Sequence, residues 1–242
     1  MKAFLLAGGE GLRLRPVTET VPKCLLPIRG KPLLSLWLEL CRKHGVTEVL
    51  INLHHLSEKV LAFLNDHDFG VKVTTVYEER LSGSAGTVAR HQSFVTGEED
   101  FFVLYADNLT NIDLGAMLRF HRRRESLLTM GLFRTDTPEE KGIVSLDGRG
   151  LIIDFTEKPA RPRSNLANAG IYIAGQQLYN YLRVEGFLDF GFDVLPKLVG
   201  KMHGYVIPEY LLDIGTPATY RQAQAEWAAV EGQDGACMRP PD

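Results

Sequence analysis

The stretch Leu6-Ala7-Gly8-Gly9-Glu10-Gly11-Leu12-Arg13-Leu14-Arg15-Pro16 decides the fold class of this chain. It follows the apolar run Lys2–Ala7, which is typical of a strand, so the chain leaves a strand into a glycine-rich loop. The missing side chains of such a loop let backbone N–H groups approach phosphate oxygens or a base. A dinucleotide-binding fingerprint would need glycine at Leu14, and a P-loop would need Ser or Thr after Gly30-Lys31. A plain strand-to-helix turn is the alternative for the loop taken alone.

Apolar strands alternate with amphipathic helical patterns through the first half of the chain. Pro32 opens one helix that Gly45 closes, Ser57 caps a second, a third starts near Ser84, and Asp113 caps a fourth. This alternation predicts an α/β fold with a Rossmann-like, mostly parallel sheet flanked by helices. The predicted elements are strands Lys2–Ala7, Glu48–Leu53, Val71–Tyr77 and Phe101–Tyr105 and the fourth helix, Leu114–Arg124.

The second half has shorter strands separated by turn-rich segments. We expect an antiparallel extension that folds over the first sheet, with strands Leu127–Arg134, Leu151–Thr156 and Gly170–Ala174, and a last helix from Pro217 through Val230. Residues 1–231 form one predicted domain, divided into halves 1–125 and 126–231. Residues 232–242 are expected to be a disordered tail, with no further catalytic or repeat domain after the last helix.

Composition excludes several classes of protein. The formal net charge of −3 leaves no electrostatic footprint for nucleic acid, and the basic run His121–Arg124 suits a solvated helix end. No stretch is apolar enough for a signal peptide or a membrane span, so we predict a cytoplasmic protein without membrane partners. The spacing of Cys24, Cys41 and Cys237 favours reduced structural thiols over disulfides or a zinc site. The oligomeric state stays open, with Trp227 as a candidate for a homo-oligomer interface.

Two aspartates are candidates for a metal site. Asp107 follows the apolar strand Phe101–Tyr105, and ligands collect at the carboxyl ends of strands in open parallel sheets. Mg²⁺ takes one or two protein carboxylates together with phosphate oxygens, so Asp107 suits it, with Asp213 as the second ligand. The alternatives are a turn or capping role for Asp107 and a helix N-terminal turn role for Asp213.

The glycine-rich stretch and Pro22-Lys23 resemble the signature of the sugar-1-phosphate nucleotidylyltransferase family. Gly8, Gly9, Gly11, Arg13 and Lys23 match at the right spacing, whereas Leu12 replaces a usual Ser or Thr, and Cys24 a usual Pro. Further resemblances follow in the family's order along nearly the whole chain: Leu81–Gly86, Tyr105–Asn108, Thr156–Pro159, Asn168–Gly170 and Leu212–Pro217.

The resemblance implies an enzyme that transfers a nucleotidyl group from a nucleoside triphosphate to a sugar 1-phosphate with Mg²⁺. It implies catalytic roles for Arg13, Lys23 and Asp107 and metal binding by Asp107 and Asp213. Residues 1–125 become the nucleotide-binding half, through Leu6, Ala7, Gly8, Gly9, Gly11, Arg13, Lys23, Glu78, Gly83, Ala85 and Asp107. Residues 126–231 become the sugar-phosphate half, and the residues expected at the sugar phosphate are Asn108, Gly142, Glu157, Lys158, Asn168 and Asp213.

The base is predicted from Glu78, five residues before Gly83, where relatives place a side chain that reads the base. A carboxylate can accept both donors of guanine, so GTP is favoured, with a mannose- or heptose-type sugar 1-phosphate as acceptor. An exposed acidic pair, Glu78-Glu79, is the alternative for that position. For the chain, the alternatives are a uridylyl- or thymidylyltransferase, a non-catalytic nucleotide-sugar-binding regulatory subunit, and a dinucleotide oxidoreductase, which Leu14 disfavours.

Overall fold

A mixed nine-stranded β-sheet organises the part of the chain that the computed structural model describes, residues 1–236. Thirteen strands are present in these residues: β1 Lys2–Leu6, β2 Pro27–Ile28, β3 Lys31–Pro32, β4 Glu48–Leu53, β5 Lys72–Tyr77, β6 Asp100–Tyr105, β7 Asn108–Thr110, β8 Leu128–Arg134, β9 Gly142–Leu146, β10 Ile152–Glu157, β11 Leu166–Gly175, β12 Met202–Val206 and β13 Leu211–Asp213. The α-helices are α1 Leu33–Lys43, α2 Ser57–Asn65, α3 Ser84–Arg90, α4 Leu114–Arg124 and α5 Pro217–Ala236.

The parallel part of the sheet has the order β5-β4-β1-β6. Strand β1 is central, because Lys2 is opposite Glu48 of β4 on one side and opposite Phe101 of β6 on the other, with all strands parallel. The carboxyl ends of these strands therefore lie at one edge, where open α/β sheets bind ligands. The predicted mostly parallel, helix-flanked architecture is confirmed for this half.

The antiparallel extension is confirmed, but it does not fold over the first sheet. Strand β11 pairs antiparallel with β6, with Ile171 opposite Leu104, so the second half continues the same sheet edge to edge. Strands β8, β9 and β10 add antiparallel pairs beyond it, and β12 pairs parallel with β8. Because β11 extends the sheet beside β6, the backbone groups of β6 have hydrogen-bond partners on both sides. A layer packed over the face of the sheet would leave one side of β6 without partners.

Two apolar cores cover the two faces of the sheet. Alternate residues of β1 point to opposite sides, so Ala3 and Leu5 belong to one core and Phe4 to the other. The first core contains Trp37 of α1 together with residues of α4 and α5, and the second contains Val88 of α3. Strands β1, β4 and β6 are thus buried on both faces, as their nearly continuous apolar runs predict, whereas the edge strand β5 is only partly buried.

The helix ends follow the sequence with two exceptions. Asp113 caps α4, because its carboxylate accepts the Ala116 N–H at 2.8 Å, but α2 begins at Ser57 without a side-chain cap. Helix α5 continues past the predicted end at Val230 as far as Ala236, so it overlaps the first residues of the predicted tail. The rest of the predicted tail, residues 237–242, lies outside the described residues.

Trp227 of α5 is buried in the chain's own core beside Tyr210, so it is not available for the interface predicted for it. Cys24 and Cys41 are buried free thiols, and burial raises the pKa of each to about 12, which fits structural roles. Cys237 lies outside the described residues. Among the helices described, none has both the length and the apolar character needed to cross a bilayer.

Candidate active site

A cavity of about 300 Å³ lies at the carboxyl end of β1. Lys23, Asp107 and the glycine-rich loop border it, as the sequence predicts for a nucleotide site. Phe187, Tyr105 and Asn52 border it as well, and these three were not predicted. The predicted residues found here are Leu6, Ala7, Gly8, Gly9, Gly11, Lys23, Gly83 and Asp107.

Close approach explains two glycines of the loop. A Cβ at Gly8 would lie 2.8 Å from Nδ2 of Asn52, whose Oδ1 accepts the Ala7 N–H at 2.8 Å. Gly11 has a positive φ of 66°, and its carbonyl accepts the Thr18 hydroxyl at 2.8 Å. Buried polar side chains from other elements therefore hold the loop in place. A polar Asn within the apolar strand β4 was the sequence signal for Asn52.

Glu78 does not face this cavity. It is buried, and its two carboxylate oxygens accept the Ser82 N–H at 2.8 Å and the Thr87 hydroxyl at 2.6 Å. These bonds engage both carboxylate oxygens, and Glu78 is not among the residues that border the cavity, so the structure does not support the predicted contact with a base. The exposed acidic alternative is also wrong for Glu78, because the carboxylate ties the start of α3 to the end of β5.

Ala85 is likewise not at the cavity. Its side chain is buried, and the N–H groups of Ala85 and Gly86 both donate to the carbonyl of Leu188, at 3.0 and 2.9 Å. Gly83 does border the cavity, with a φ of 83°, and a Cβ there would collide with the same carbonyl. The segment around Leu188 thus closes the N-terminus of α3.

A second cavity, of about 510 Å³, adjoins the first on the side of the antiparallel strands. Arg13 borders this cavity and not the first one, and its Nη2 atom lies 2.8 Å from where a Cβ of Gly215 would stand. The chain turns at Gly11 into a 3-10 turn over Leu12–Leu14, which carries Arg13 away from the first cavity. All the residues predicted to bind the sugar phosphate border the second cavity: Asn108, Gly142, Glu157, Lys158, Asn168 and Asp213.

The two cavities share Tyr105 and Asp107. Strand β13 pairs antiparallel with β7, placing Asp213 opposite Asn108, and the Ile214 N–H donates to the Asp107 carbonyl at 2.9 Å. This short pairing brings the second aspartate to the end of β6. Nζ of Lys23 lies 2.7 Å from Oδ2 of Asp107 and 4.0 Å from Oδ1 of Asp213, so one ammonium group faces both carboxylates.

Asp107 carries charge at neutral pH. Burial opposes ionisation of Asp107, but the Lys23 ammonium outweighs it, and the pKa of Asp107 lies below its usual value. Oδ1 of Asp213 is buried and has no hydrogen-bond partner among the described residues. Two carboxylates with one unpartnered oxygen fit Mg²⁺, which completes its shell with phosphate and water oxygens. Within residues 1–236, no cluster of three or more His, Cys, Asp or Glu side chains offers an all-protein metal cage.

The matching family model is that of the nucleotidyl transferases, and it covers residues 2–229. The chain belongs to the nucleotidyl transferase family. The resemblance found in the glycine-rich loop and in the later motifs is therefore confirmed.

The relatives of this nucleotidyl transferase are named for different nucleotides and different sugar phosphates. A UTP–glucose-1-phosphate uridylyltransferase of Synechocystis is 34% identical, covering 92% of this chain and 62% of the relative. Mannose-1-phosphate guanylyltransferase 1 of Arabidopsis thaliana is 31% identical, covering 91% and 63%. D-glycero-alpha-D-manno-heptose 1-phosphate guanylyltransferase of Campylobacter jejuni is 29% identical, covering 91% and 97%. The chain thus spans just over three fifths of the first two relatives.

A solved structure shares the fold. The crystal structure of a provisionally named glucose-1-phosphate thymidylyltransferase from Bacillus anthracis, in complex with sucrose, has a TM-score of 0.84 and is 26% identical. The alignment covers 93% of this chain and 94% of the Bacillus chain. The α/β fold class is confirmed by this likeness as well as by the sheet itself.

The Glu157 carboxylate of this nucleotidyl transferase lies between two glycines. A Cβ at Gly142 or at Gly191 would stand within 2.6 Å of its Oε2 atom, so both positions must lack a side chain. Burial raises the pKa of Glu157, the Asp189 carboxylate adds to the rise, and Lys158 and Lys141 partly offset it. None of the hydrogen bonds found within residues 1–236 uses this carboxylate, which leaves it free to accept hydroxyl groups.

The other predicted residues of the second cavity differ in how many hydrogen bonds their side chains already make within the protein. Lys158 has a positive φ of 48°, a strained conformation for a non-glycine residue, and its ammonium lies 5.9 Å from the centroid of the Phe192 ring. Asn168 accepts the Gly170 N–H at 2.9 Å and donates to the Tyr172 hydroxyl at 2.7 Å. The Asn108 side chain is buried and donates to the Ala169 carbonyl at 2.8 Å, so it braces the cavity wall.

Sequence reasoning missed Lys141, which borders the second cavity. Its ammonium lies 2.6 Å from Oδ2 of Asp213, on a side chain only 20% exposed. Its neighbour Gly142 was predicted, but a lysine beside a turn is an ordinary surface residue in any sequence. Only the pairing with Asp213, 72 residues away, distinguishes it.

Proposed function

We propose that this chain transfers a nucleoside monophosphate from a nucleoside triphosphate to a sugar 1-phosphate and releases pyrophosphate. The observation that carries the proposal is the meeting of two cavities at Asp107, with Lys23 beside it. One cavity has the glycine-rich loop suited to a nucleotide, and the other has cations and hydroxyl-accepting groups suited to a sugar phosphate. A transferable phosphorus atom would lie at the junction.

The proposed roles follow this division. Lys23 neutralises the transferred nucleotidyl group at the junction, and Lys158 binds the acceptor phosphate in the second cavity. Arg13, which borders the acceptor cavity, adds positive charge for phosphate groups there. Glu157 and Asn168 contact sugar hydroxyls. Asp107 and Asp213 would hold Mg²⁺, which when bound neutralises charge on the phosphate oxygens.

The reaction needs no protein nucleophile. An oxygen of the sugar phosphate forms a bond to the α-phosphorus, the bond from that phosphorus to the bridging oxygen breaks, and pyrophosphate leaves with the electron pair. The attacking phosphate is already ionised near neutral pH, so no strong base is needed. The residues of this chain contribute by orienting the two substrates in line and by neutralising their mutual repulsion.

For the substrates, we propose GTP and a mannose- or heptose-type sugar 1-phosphate. The names of the Arabidopsis and Campylobacter relatives support this choice. Glu78 no longer supports it, because its carboxylate is engaged by Ser82 and Thr87. UTP with glucose 1-phosphate is the second candidate, favoured by the name of the Synechocystis relative at 34% identity.

A matrix of GTP, UTP, dTTP, CTP and ATP against mannose, heptose and glucose 1-phosphates with Mg²⁺ tests the proposal through pyrophosphate release. We expect the highest kcat/KM for GTP with a mannose- or heptose-type acceptor. A preference for UTP or dTTP would overturn the guanylyl assignment and leave transfer standing. Binding of nucleotide sugars without pyrophosphate release from any pair would instead support a regulatory subunit.

The remaining expectations about partners stay predictions. They are the cytoplasmic location, the absence of nucleic-acid and membrane partners, and a homo-oligomeric assembly. With Trp227 buried in the core, the sequence feature that suggested self-association no longer supports it.

A further inference from the structure

Four charged side chains form a closed set at the junction of the two cavities. Lys23 pairs with Asp107 at 2.7 Å, and Lys141 pairs with Asp213 at 2.6 Å. The lysine side chains are only 12% and 20% exposed, so these are not solvated surface pairs. The Lys141 carbonyl also accepts the Lys158 N–H at 3.0 Å, which fixes this part of the chain to the next strand.

The charges of this set cancel. Two carboxylates and two ammonium groups sum to zero, so this set of four side chains offers no net negative charge with which to attract a divalent cation. An ammonium within ion-pair distance of a metal-binding carboxylate also repels a cation placed there, because like charges this close interact strongly near a protein surface. Mg²⁺ arriving with a triphosphate brings compensating negative charge, and Mg²⁺ alone does not.

The two oxygens of Asp213 have different environments. The Lys141 ammonium donates a hydrogen bond to Oδ2, whereas Oδ1 is buried, accepts no hydrogen bond from the described residues and lies 4.0 Å from Nζ of Lys23. A cation at Oδ1 would face the Lys141 ammonium across a single carboxylate. Like-charge repulsion would then favour release of this ammonium into the second cavity, which Lys141 already borders together with Lys158.

We propose that Lys141 is an exchangeable counter-ion: it holds Asp213 in the substrate-free protein and transfers to the phosphate of the sugar 1-phosphate when a cation carried by the triphosphate binds Asp213. This inference rests on the proposed function and adds a residue to it. Lys141 thereby makes cation binding depend on the nucleotide and makes acceptor binding depend on the cation.

Titration calorimetry with MnCl₂ on the substrate-free protein tests, without any turnover, the proposal that Lys141 opposes cation binding at Asp213. We expect weak Mn²⁺ binding by the wild type and affinity at least about tenfold higher in Lys141→Met, because one opposing charge is removed. Lys158→Met is the matched control, since Lys158 borders the same cavity but its ammonium lies beside Phe192. Lys158→Met should leave Mn²⁺ affinity unchanged, and Asp213→Asn should abolish the gain from Lys141→Met.

The proposed transfer of Lys141 to the acceptor phosphate is tested by the KM for the sugar 1-phosphate, measured with the substrate pair that gives the highest kcat/KM in the matrix. Lys141→Met should raise this KM about tenfold or more with little change in the KM for the triphosphate. Lys141→Gln, which keeps a hydrogen-bond donor for Asp213, gives a folded alternative if Lys141→Met has a lowered Tm. Unchanged Mn²⁺ affinity in both variants, or an unchanged acceptor KM, would overturn the proposal. Failure of the matrix to release pyrophosphate would remove the proposed transfer while leaving the Mn²⁺ result interpretable.

Discussion

At the residue scale, Asp107 lies where the two cavities meet. It ends the buried strand β6, borders both cavities and pairs with Lys23. Asp107→Asn keeps the size of the side chain but removes the charge that a hard cation requires. We expect kcat to fall by orders of magnitude at saturating Mg²⁺ while the far-ultraviolet circular dichroism spectrum stays unchanged.

Asp154→Asn is the control for this variant. Asp154 lies on β10, borders neither of the two cavities, and is partly exposed beside Arg163. Its substitution should leave kcat within a small factor of wild type. Near-wild-type turnover of Asp107→Asn would show that this carboxylate is not a metal ligand.

The two lysines predicted from the sequence serve different substrates in the proposed reaction. Lys23 borders the first cavity and Lys158 the second, so each variant controls for the other. Lys158→Ala should mainly raise the KM for the sugar 1-phosphate, and Lys23→Ala should mainly lower kcat, because its charge acts on the phosphorus under attack. Steady-state kinetics with each substrate varied in turn measures both effects. Equal KM effects of both variants on both substrates would contradict the division.

At the scale of elements, helix α3 depends on a glycine that no side chain can replace. Gly83 has a φ of 83°, and a Cβ there would strike the Leu188 carbonyl, which accepts the N–H groups of Ala85 and Gly86. Gly83→Ala therefore strains the backbone and also displaces the acceptor that closes the helix N-terminus. We expect a loss of about 3 kcal/mol or more in the free energy of unfolding, measured by urea denaturation.

Gly97→Ala separates these two causes. Gly97 has a φ of 86°, but a Cβ there would meet nothing within 4 Å. Only the conformational cost applies, about 1–2 kcal/mol. Equal losses in the two variants would mean that the Leu188 contact contributes nothing to stability.

At the scale of the whole molecule, the short β7–β13 pairing joins the two halves of the chain at the site. It brings Asp213 to Asp107, although the two residues belong to different halves. If both carboxylates bind one cation, the loss of either one already weakens cation binding, so replacing the second carboxylate lowers kcat/KM only a little further. We therefore expect Asp107→Asn and Asp213→Asn to be strongly non-additive in kcat/KM, as a double-mutant cycle measures. Additive losses would place the two aspartates in separate roles.

The sequence by itself determined the features that depend on neighbours in the chain. Apolar and β-branched runs predicted strands β1, β4, β5, β6, β8, β10 and β11, and glycine spacing predicted the loop after β1, because burial on a sheet and backbone freedom are local requirements. Residues that border the second cavity were also predicted from the sequence, through short motifs that resemble those of the family, such as Thr156–Pro159 and Asn168–Gly170. Strands β2, β3, β7, β9, β12 and β13 were not predicted, because each has five residues or fewer and lacks a long apolar run.

Only the tertiary structure decided which charged groups meet. The pairs Lys23–Asp107 and Lys141–Asp213 join residues 84 and 72 positions apart, and no local pattern encodes such a pairing. The same holds for Glu78, whose carboxylate the sequence assigned to a base and the fold assigns to Ser82 and Thr87. A polar side chain in a sequence shows what it can bind, whereas the packing around it fixes whether its atoms face a cavity or satisfy buried backbone groups.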